Sequence, residues 1–310
     1  MVSIIARSGR KGCVDLMIKY KKSVAEHIFD TANYIILFLL IIITLYPCYY
    51  VLVASVSDPS QIYNDGGLLL YPKKFAVYSY AEVLRHKPLW TGYGNSIFYV
   101  LAGGALSVML TVIGAFGLTR KGLPGKNGIM MAILFTMYFS GGLIPTYIVV
   151  KALGLLDTPL AMILPGAVST YNLIITISYF NGLPDALEEA AKIDGASDYT
   201  VLLRIMLPLA KPIIAVIALY YMVAIWNNYF TALVYITDKR LQPLQMVLRE
   251  ILIQNDTNAV AGTDQADAAQ AYAENVKYAT IVVSTVPILC VYPFIQKYFV
   301  KGVTIGAVKG

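Results

Sequence analysis

Apolar residues run along this chain in blocks, with polar residues gathered between them. Blocks at about 34–56, 95–118, 129–150, 159–180, 213–236 and 276–298 have the length that roughly 30 Å of hydrocarbon demands of a helix. Helices suit such blocks because lipid offers no partner to a backbone N–H or C=O. The pattern predicts an all-α, polytopic membrane protein with six transmembrane helices: an N-terminal segment over 1–33, a transmembrane domain over 34–300 and a tail over 301–310. In the first segment Arg7, Arg10, Lys11, Lys19, Lys21 and Lys22 accompany Leu16, Ile18 and Val24, which predicts a helix lying along the inner membrane face. More spans follow the first block, so it should stay as an uncleaved helix. Gly141, Gly142 and Pro145 predict a kink or a close helix contact in the third block, and Pro165 and Gly166 lie near the outer third of the fourth. The connections 58–91 and 237–275 are too long for turns. Within the second, 241–253 reads as an amphipathic helix and 255–270 as a mobile stretch.

Composition supports that reading and narrows it. The 310 residues are 58% hydrophobic and 14% charged, with a mean hydropathy of +0.65, whereas soluble domains carry about 25% charged residues. The net charge of +6 does not indicate nucleic acid, because the basic residues flank apolar blocks. Placing both termini, the turn at Arg120 and the loop 184–212 on one side collects 15 of the 24 lysines and arginines. That side is therefore expected to be cytoplasmic. Cys13, Cys48 and Cys290 have no metal-ligand or disulfide-framework spacing, and His27 and His86 are too scattered for a metal cluster. No acidic or basic residue lies mid-block, which argues against a proton relay or voltage sensor.

The loop 184–212 carries helix punctuation at both ends. Pro184 suits a first helical turn, and Asp185, Glu188 and Glu189 put negative charge near the positive end of the helix dipole. Gly195 supplies the left-handed residue that ends a helix. Ser197 or Asp198 caps a second helix, which Pro208 stops or redirects. Leu187, Ala190, Ala191 and Asp194 recur at helical spacing, and the two alanines leave a low surface for a partner's groove. A helix this short is expected to be docked, since isolated helices below about 12–15 residues are marginal in water.

Glu189-Ala190-Ala191, three residues, Gly195, nine residues and Ile205-x-Leu207-Pro208 resemble the EAA loop of ABC importer permeases. The resemblance implies a non-catalytic membrane subunit whose coupling helix sits in a cleft of a separate ATPase, with Glu189, Ala190, Ala191, Asp194, Gly195, Ile205, Leu207 and Pro208 at the contact. ATP and Mg2+ would be bound by two ATPase subunits and not by this chain, which has no Gly-x-x-x-x-Gly-Lys-Ser/Thr loop. The ending Gly306, Val308, Lys309, Gly310 is similar to that of the smaller permease subunit of maltose-type sugar importers, which reaches the ATPase interface. The chain looks closest to the polysaccharide or aldouronate oligosaccharide subfamily. Such a complex implies the bacterial cytoplasmic membrane, a second homologous permease, an extracytoplasmic solute-binding protein and an oligosaccharide. The same design for a polyol or glycerol phosphate compound is the alternative, with a membrane enzyme or channel more distant.

Neutral polarity within the blocks offers chemistry for such a solute. Tyr171, Asn172, Tyr220, Trp226, Asn227, Asn228 and Tyr229 combine amides and hydroxyls with aromatic faces. Amides and hydroxyls exchange hydrogen bonds with sugar hydroxyls, and rings cover the apolar side of a pyranose. These seven residues are the expected substrate path, although the same residue types also join helices or form an interfacial belt.

Overall fold

A computed structural model describes residues 23–58, 69–72, 74–257 and 275–290, with side chains except at 254–257. Most of the N-terminal segment, the tail with Gly306, Val308, Lys309 and Gly310, most of the stretch 255–270 and the end of the sixth block lie outside the described residues. Contacts divide the chain into residues 1–49 and 50–310.

In the first unit, helix α1 (Val24–Ser55) opens with a capping box: Ser23 N–H donates to Glu26 Oε2 at 2.7 Å, and Glu26 N–H donates to Ser23 Oγ at 3.3 Å. The helix runs through Pro47 and ends in the second unit. It starts about ten residues before the first apolar block, so residues 24–33 extend that helix instead of forming a separate element.

The second unit continues with α2 (Tyr78–Arg85), α3 (Lys87–Thr119), α4 (Lys126–Tyr138), α5 (Leu143–Ala152), α6 (Pro159–Ile163) and α7 (Thr170–Asn181). Then come α8 (Asp185–Ile193), α9 (Asp198–Leu209), α10 (Lys211–Trp226), α11 (Phe230–Tyr235), α12 (Leu244–Thr257) and α13 (Asn275–Cys290). Helix α3 is the mast of this unit. Gly92, Ser96, Gly103, Ser107, Thr111 and Ala115 are buried along one of its faces, and small residues there let α10, α7 and α12 approach closely. A Cβ on Gly103 would come within 3.2 Å of Ile225 Cδ1, and one on Gly92 within 3.1 Å of Leu244 Cα.

Hydroxyls and amides satisfy the backbone where chain segments cross. Asn95 Nδ2 donates to the carbonyls of Arg240 and Gln242 at 2.8 and 2.9 Å, Tyr99 O–H donates to Leu241 O at 2.7 Å, and Leu244 N–H donates to Ser96 Oγ at 2.8 Å. Together these bonds seat the start of α12 on α3. The buried Asn275 joins three elements: its Nδ2 donates to Ala54 and Ser57 carbonyls at 2.7 and 2.8 Å, and its Oδ1 accepts from Ser79 Oγ. A buried amide satisfied at this many points fixes where α13 begins.

The fold is helical and membrane-spanning, but its crossings differ from six straight blocks. Among the described residues two continuous helices, α1 and α3, are long and apolar enough to span, and up to four spans result if each bent pair is counted as one. The third block turns through 115° between α4 and α5 at Gly142, whose φ of +83° is open to glycine, so the expected kink is a sharp reversal. The fourth block is two helices, α6 and α7, separated around Pro165 and Gly166, and the fifth breaks between Trp226 and Phe230. A further bend of 81° separates α9 from α10. Hydropathy reports that a segment dissolves in oil and carries no information on its direction, so these breaks escape it.

Gly92→Val should displace α12 from α3 and cost about 1–3 kcal/mol, as overpacking does. Gly94→Val is the control, since nothing lies within 4 Å of a Cβ there. Thermal unfolding in detergent, with proteolysis of the 239–257 segment, should separate the two variants.

Candidate functional site

The loop 184–212 folds as a helical hairpin. Pro184 precedes α8 in an extended conformation, and Asp185 and Glu188 fall in the first turn. The end of α8 is a Schellman motif: Ala196 N–H donates to Ala191 O at 2.9 Å and Gly195 N–H to Lys192 O at 3.0 Å, with Gly195 at φ +77°. Ser197 caps α9 by accepting from Thr200 N–H at 3.4 Å. Helix α9 widens to π geometry over Val201–Met206, which local sequence did not indicate, and the bend after Leu209 follows Pro208. Tyr179 O–H donates to Leu209 O at 2.9 Å, holding that bend against α7.

One side of the hairpin is sunk into the body. Ala191, Val201, Leu202 and Met206 are buried in a cluster with Phe116 and Leu118 of α3 and with Ile177 and Phe180 of α7, and Ile205 and Leu207 pack partly against it. Ala191 thus faces inward, whereas Glu189, Ala190, Asp194, Gly195 and Pro208 are exposed. The outer side is unusually apolar for a polar loop: Ile193 is 87% exposed and Tyr199 80%, with Leu187 and Leu203 also exposed.

Charge ties this hairpin to the end of α3. Arg120 pairs with Glu188 and lies 4.0 Å over the Phe116 ring, and Lys192 Nζ stands 2.8 Å from Glu188 Oε1. Lys121 Nζ is 2.9 Å from Asp185 Oδ2 and 3.5 Å from Glu189 Oε1. The hydrogen bond and charge of Lys121 hold the Asp185 carboxyl below its ordinary range, and the same contact raises the Lys121 ammonium. Burial pushes the Glu188 carboxyl up, but hydrogen bonds and charges from Lys192 and Arg120 outweigh it and hold it low. Carboxyls lowered by folding stabilise the structure above the unfolded range of about 4, and that contribution is lost as pH falls through the folded value. At neutral pH the tether is therefore in force. The sequence showed Arg120 and Lys121 only as orientation signals, because their partners lie more than 60 residues away.

Six of the seven expected path residues line one or other of two cavities. Tyr171, Asn172 and Tyr220 line one of about 350 Å³, together with Ser169 and Tyr221. The Tyr171 and Tyr220 rings stand 6.2 Å apart. Tyr221 is structural: its hydroxyl shares a 2.7 Å hydrogen bond with Thr111 Oγ1 and accepts from Ser169 N–H at 2.9 Å. Trp226, Asn227 and Tyr229 line the second cavity, of about 630 Å³, at the other end of α10 from the hairpin. Sixteen residues of α10 set the two ends roughly 24 Å apart. Asn228 lines neither cavity. Its amide donates to Thr231 Oγ1 at 2.7 Å and accepts from Thr231 N–H at 3.0 Å, capping α11.

The larger cavity also holds residues that the sequence reading passed over. Gln245 and Arg249 enter it from α12, and Thr280, Ser284 and Thr285 from α13. Gln245 and Arg249 are four apart, the spacing that puts two side chains on one helical face, which was the available signal.

Residues 125–305 match the family described as "Binding-protein-dependent transport system inner membrane component". The chain is 43% identical over 286 residues to Protein LplC of Bacillus subtilis (strain 168), covering 92% of this chain and 96% of that protein. It is 39% identical over 285 residues to the polygalacturonan/rhamnogalacturonan transport system permease protein YtcP of the same organism, covering 92% and 99%. A solved structure of a bacterial ABC transporter involved in the import of the acidic polysaccharide alginate contains a chain that matches with a TM-score of 0.82 at 32% identity, covering 91% of this chain and all of that one. This chain belongs to the binding-protein-dependent transport system inner membrane components and is a non-catalytic permease subunit of an ABC transporter.

Proposed function

We propose that this chain forms part of the membrane path of an ATP-driven oligosaccharide importer, with the α8–α9 hairpin receiving the motion of a separate ATPase. The observation that carries the reading is the two-sided hairpin. Its inner side is buried and charge-tied to α3, and its outer side offers Leu187, Ile193, Tyr199 and Leu203 to a partner. A free monomer gains nothing by leaving such residues in water at the tip of a polar loop, so a partner surface is their place. Glu189, Ala190 and Gly195 lie exposed among them.

In this reading the hairpin and both termini are cytoplasmic, two ATPase subunits bind ATP and Mg2+, and Gly306, Val308, Lys309 and Gly310 reach the ATPase interface. A second, homologous permease closes the path, and a solute-binding protein delivers an oligosaccharide at the outer end of α10, where the larger cavity lies. The polysaccharide names borne by the YtcP relative and by the alginate transporter support that solute class, as do the amide and aromatic groups in both cavities.

Gly195→Val should abolish uptake while membrane insertion persists. No neighbour lies within 4 Å of a Cβ at that position, so the cost is the positive φ alone, of order 1–3 kcal/mol for a β-branched residue. Gly195→Asn, which tolerates a left-handed backbone, should keep most transport; equal loss in both variants would count against the role given to the turn. Glu188→Gln removes the counter-charge from Arg120, whose side chain is 17% exposed, and should loosen the hairpin by about 1–2 kcal/mol. Amide hydrogen exchange over residues 185–209 should then speed by about tenfold, with α7 much less affected.

A further inference from the structure

The first turn of α7 is built as half of a capping box. Ser169 Oγ accepts from Asn172 N–H at 3.4 Å, the bond that a serine at the cap forms with the third helical residue. In the complete box the side chain of that third residue reaches back to the N–H of the cap, as Glu26 does for Ser23 at the start of α1. In α7 that N–H is already taken: Ser169 donates it to the Tyr221 hydroxyl of α10 at 2.9 Å. Asn172 is thereby released from the task its position assigns to it.

The released side chain lines the smaller cavity beside Tyr171 and Tyr220. Asn172 is only 4% exposed, and its backbone is bonded at both groups, the N–H to Ser169 Oγ and the C=O to Thr176 Oγ1 at 2.7 Å. Its side-chain amide enters no hydrogen bond among the described residues. A buried amide without a partner costs free energy, and that cost is recovered when a group in the cavity meets it. An amide carries donors and an acceptor side by side, and a sugar hydroxyl is donor and acceptor at once, so the two can exchange hydrogen bonds.

We infer that Asn172 is the group of the smaller cavity that hydrogen-bonds the solute, and that Tyr221 is the positioning residue that keeps it available. This rests on the oligosaccharide reading and adds which amide meets the solute and what holds that amide in reserve. Tyr221 is itself 4% exposed and its hydroxyl is occupied by Thr111 Oγ1 and Ser169 N–H, so it acts through the first turn of α7. Without that hydroxyl the Ser169 N–H needs another acceptor, and Asn172 Oδ1 stands at the position that closes the box. Closing it draws the amide away from the cavity.

The test uses the whole transporter in cells, with trigalacturonate and maltotriose as probes and uptake referred to the amount of transporter in the membrane. For whichever probe the parent takes up, Asn172→Leu should raise the half-saturating concentration by about tenfold and leave the maximal rate unchanged. Tyr221→Phe, which keeps the ring and loses the hydroxyl, should raise it equally, and the double variant no further than either alone, because both remove the same contact. Thr111→Val breaks the other bond of that hydroxyl and spares Ser169, so it should leave the half-saturating concentration where it was. An unchanged value in Asn172→Leu overturns the role of Asn172 and leaves the oligosaccharide reading standing. A rise of about a hundredfold in the double variant, or a Thr111→Val effect equal to that of Tyr221→Phe, overturns the positioning role of Tyr221. Uptake of neither probe by the parent overturns the oligosaccharide reading and this inference with it.

Discussion

The close approach of helices along one face of α3 is the contact on which the rest of the described body depends. In lipid, helices gain little from burying leucine against leucine, since the hydrocarbon around them is equally apolar. Association has to come from dispersion at short range and from hydrogen bonds between elements, and both require small side chains at the interface. Gly92, Ser96, Gly103, Ser107, Thr111 and Ala115 meet that requirement over the length of α3. The same face carries hydroxyls that bond outward, Ser96 to the start of α12 and Thr111 to Tyr221 of α10. A single stripe thus sets the helix spacing and supplies the polar links.

Both ends of α3 lead to candidate sites. At one end Phe116, Leu118, Arg120 and Lys121 grip the hairpin, through apolar burial and charge together. At the other, Asn95, Ser96 and Tyr99 hold the backbone that delivers Arg249 to the larger cavity. Helix α10 runs between the same two regions, from the bend beneath the hairpin to Trp226, without a break. A hydrogen bond between Thr111 and Tyr221 joins the two helices along their run between those regions.

The hairpin was legible because its determinants are local. Asp185 and Glu188 in a first turn, Gly195 at a left-handed position and Ser197 as a cap each act within a few residues, and all take the expected places in the structure. The all-helical, membrane-spanning character was legible from block length alone. Direction and partnership were not. Gly141-Gly142 announced a disturbance but not a turn of 115°, because two glycines permit many angles and packing selects one. The inward turn of Ala191 and the bond between Arg120 and Glu188 depend on chain segments far apart in sequence. Asn228 has the composition of a sugar ligand and serves as a helix cap, a distinction that only its 2.7 Å contact with Thr231 reveals.

The breaks in the apolar blocks explain where the polar chemistry lies. A helix that stops at membrane depth releases backbone N–H and C=O groups, and these are tolerated only where protein or a wet cavity receives them. Between α6 and α7 the groups are received by Tyr221, which accepts from Ser169 N–H, and by Ser169, which caps α7. Between α10 and α11 the Asn228 amide performs the same service for Thr231. With the backbone satisfied by those residues, their neighbours Tyr171, Asn227 and Tyr229 are left to line open space. Helix interruption and cavity polarity are consequently one design: each break needs a capping side chain, and polar and aromatic residues beside the cap are left to line the cavities.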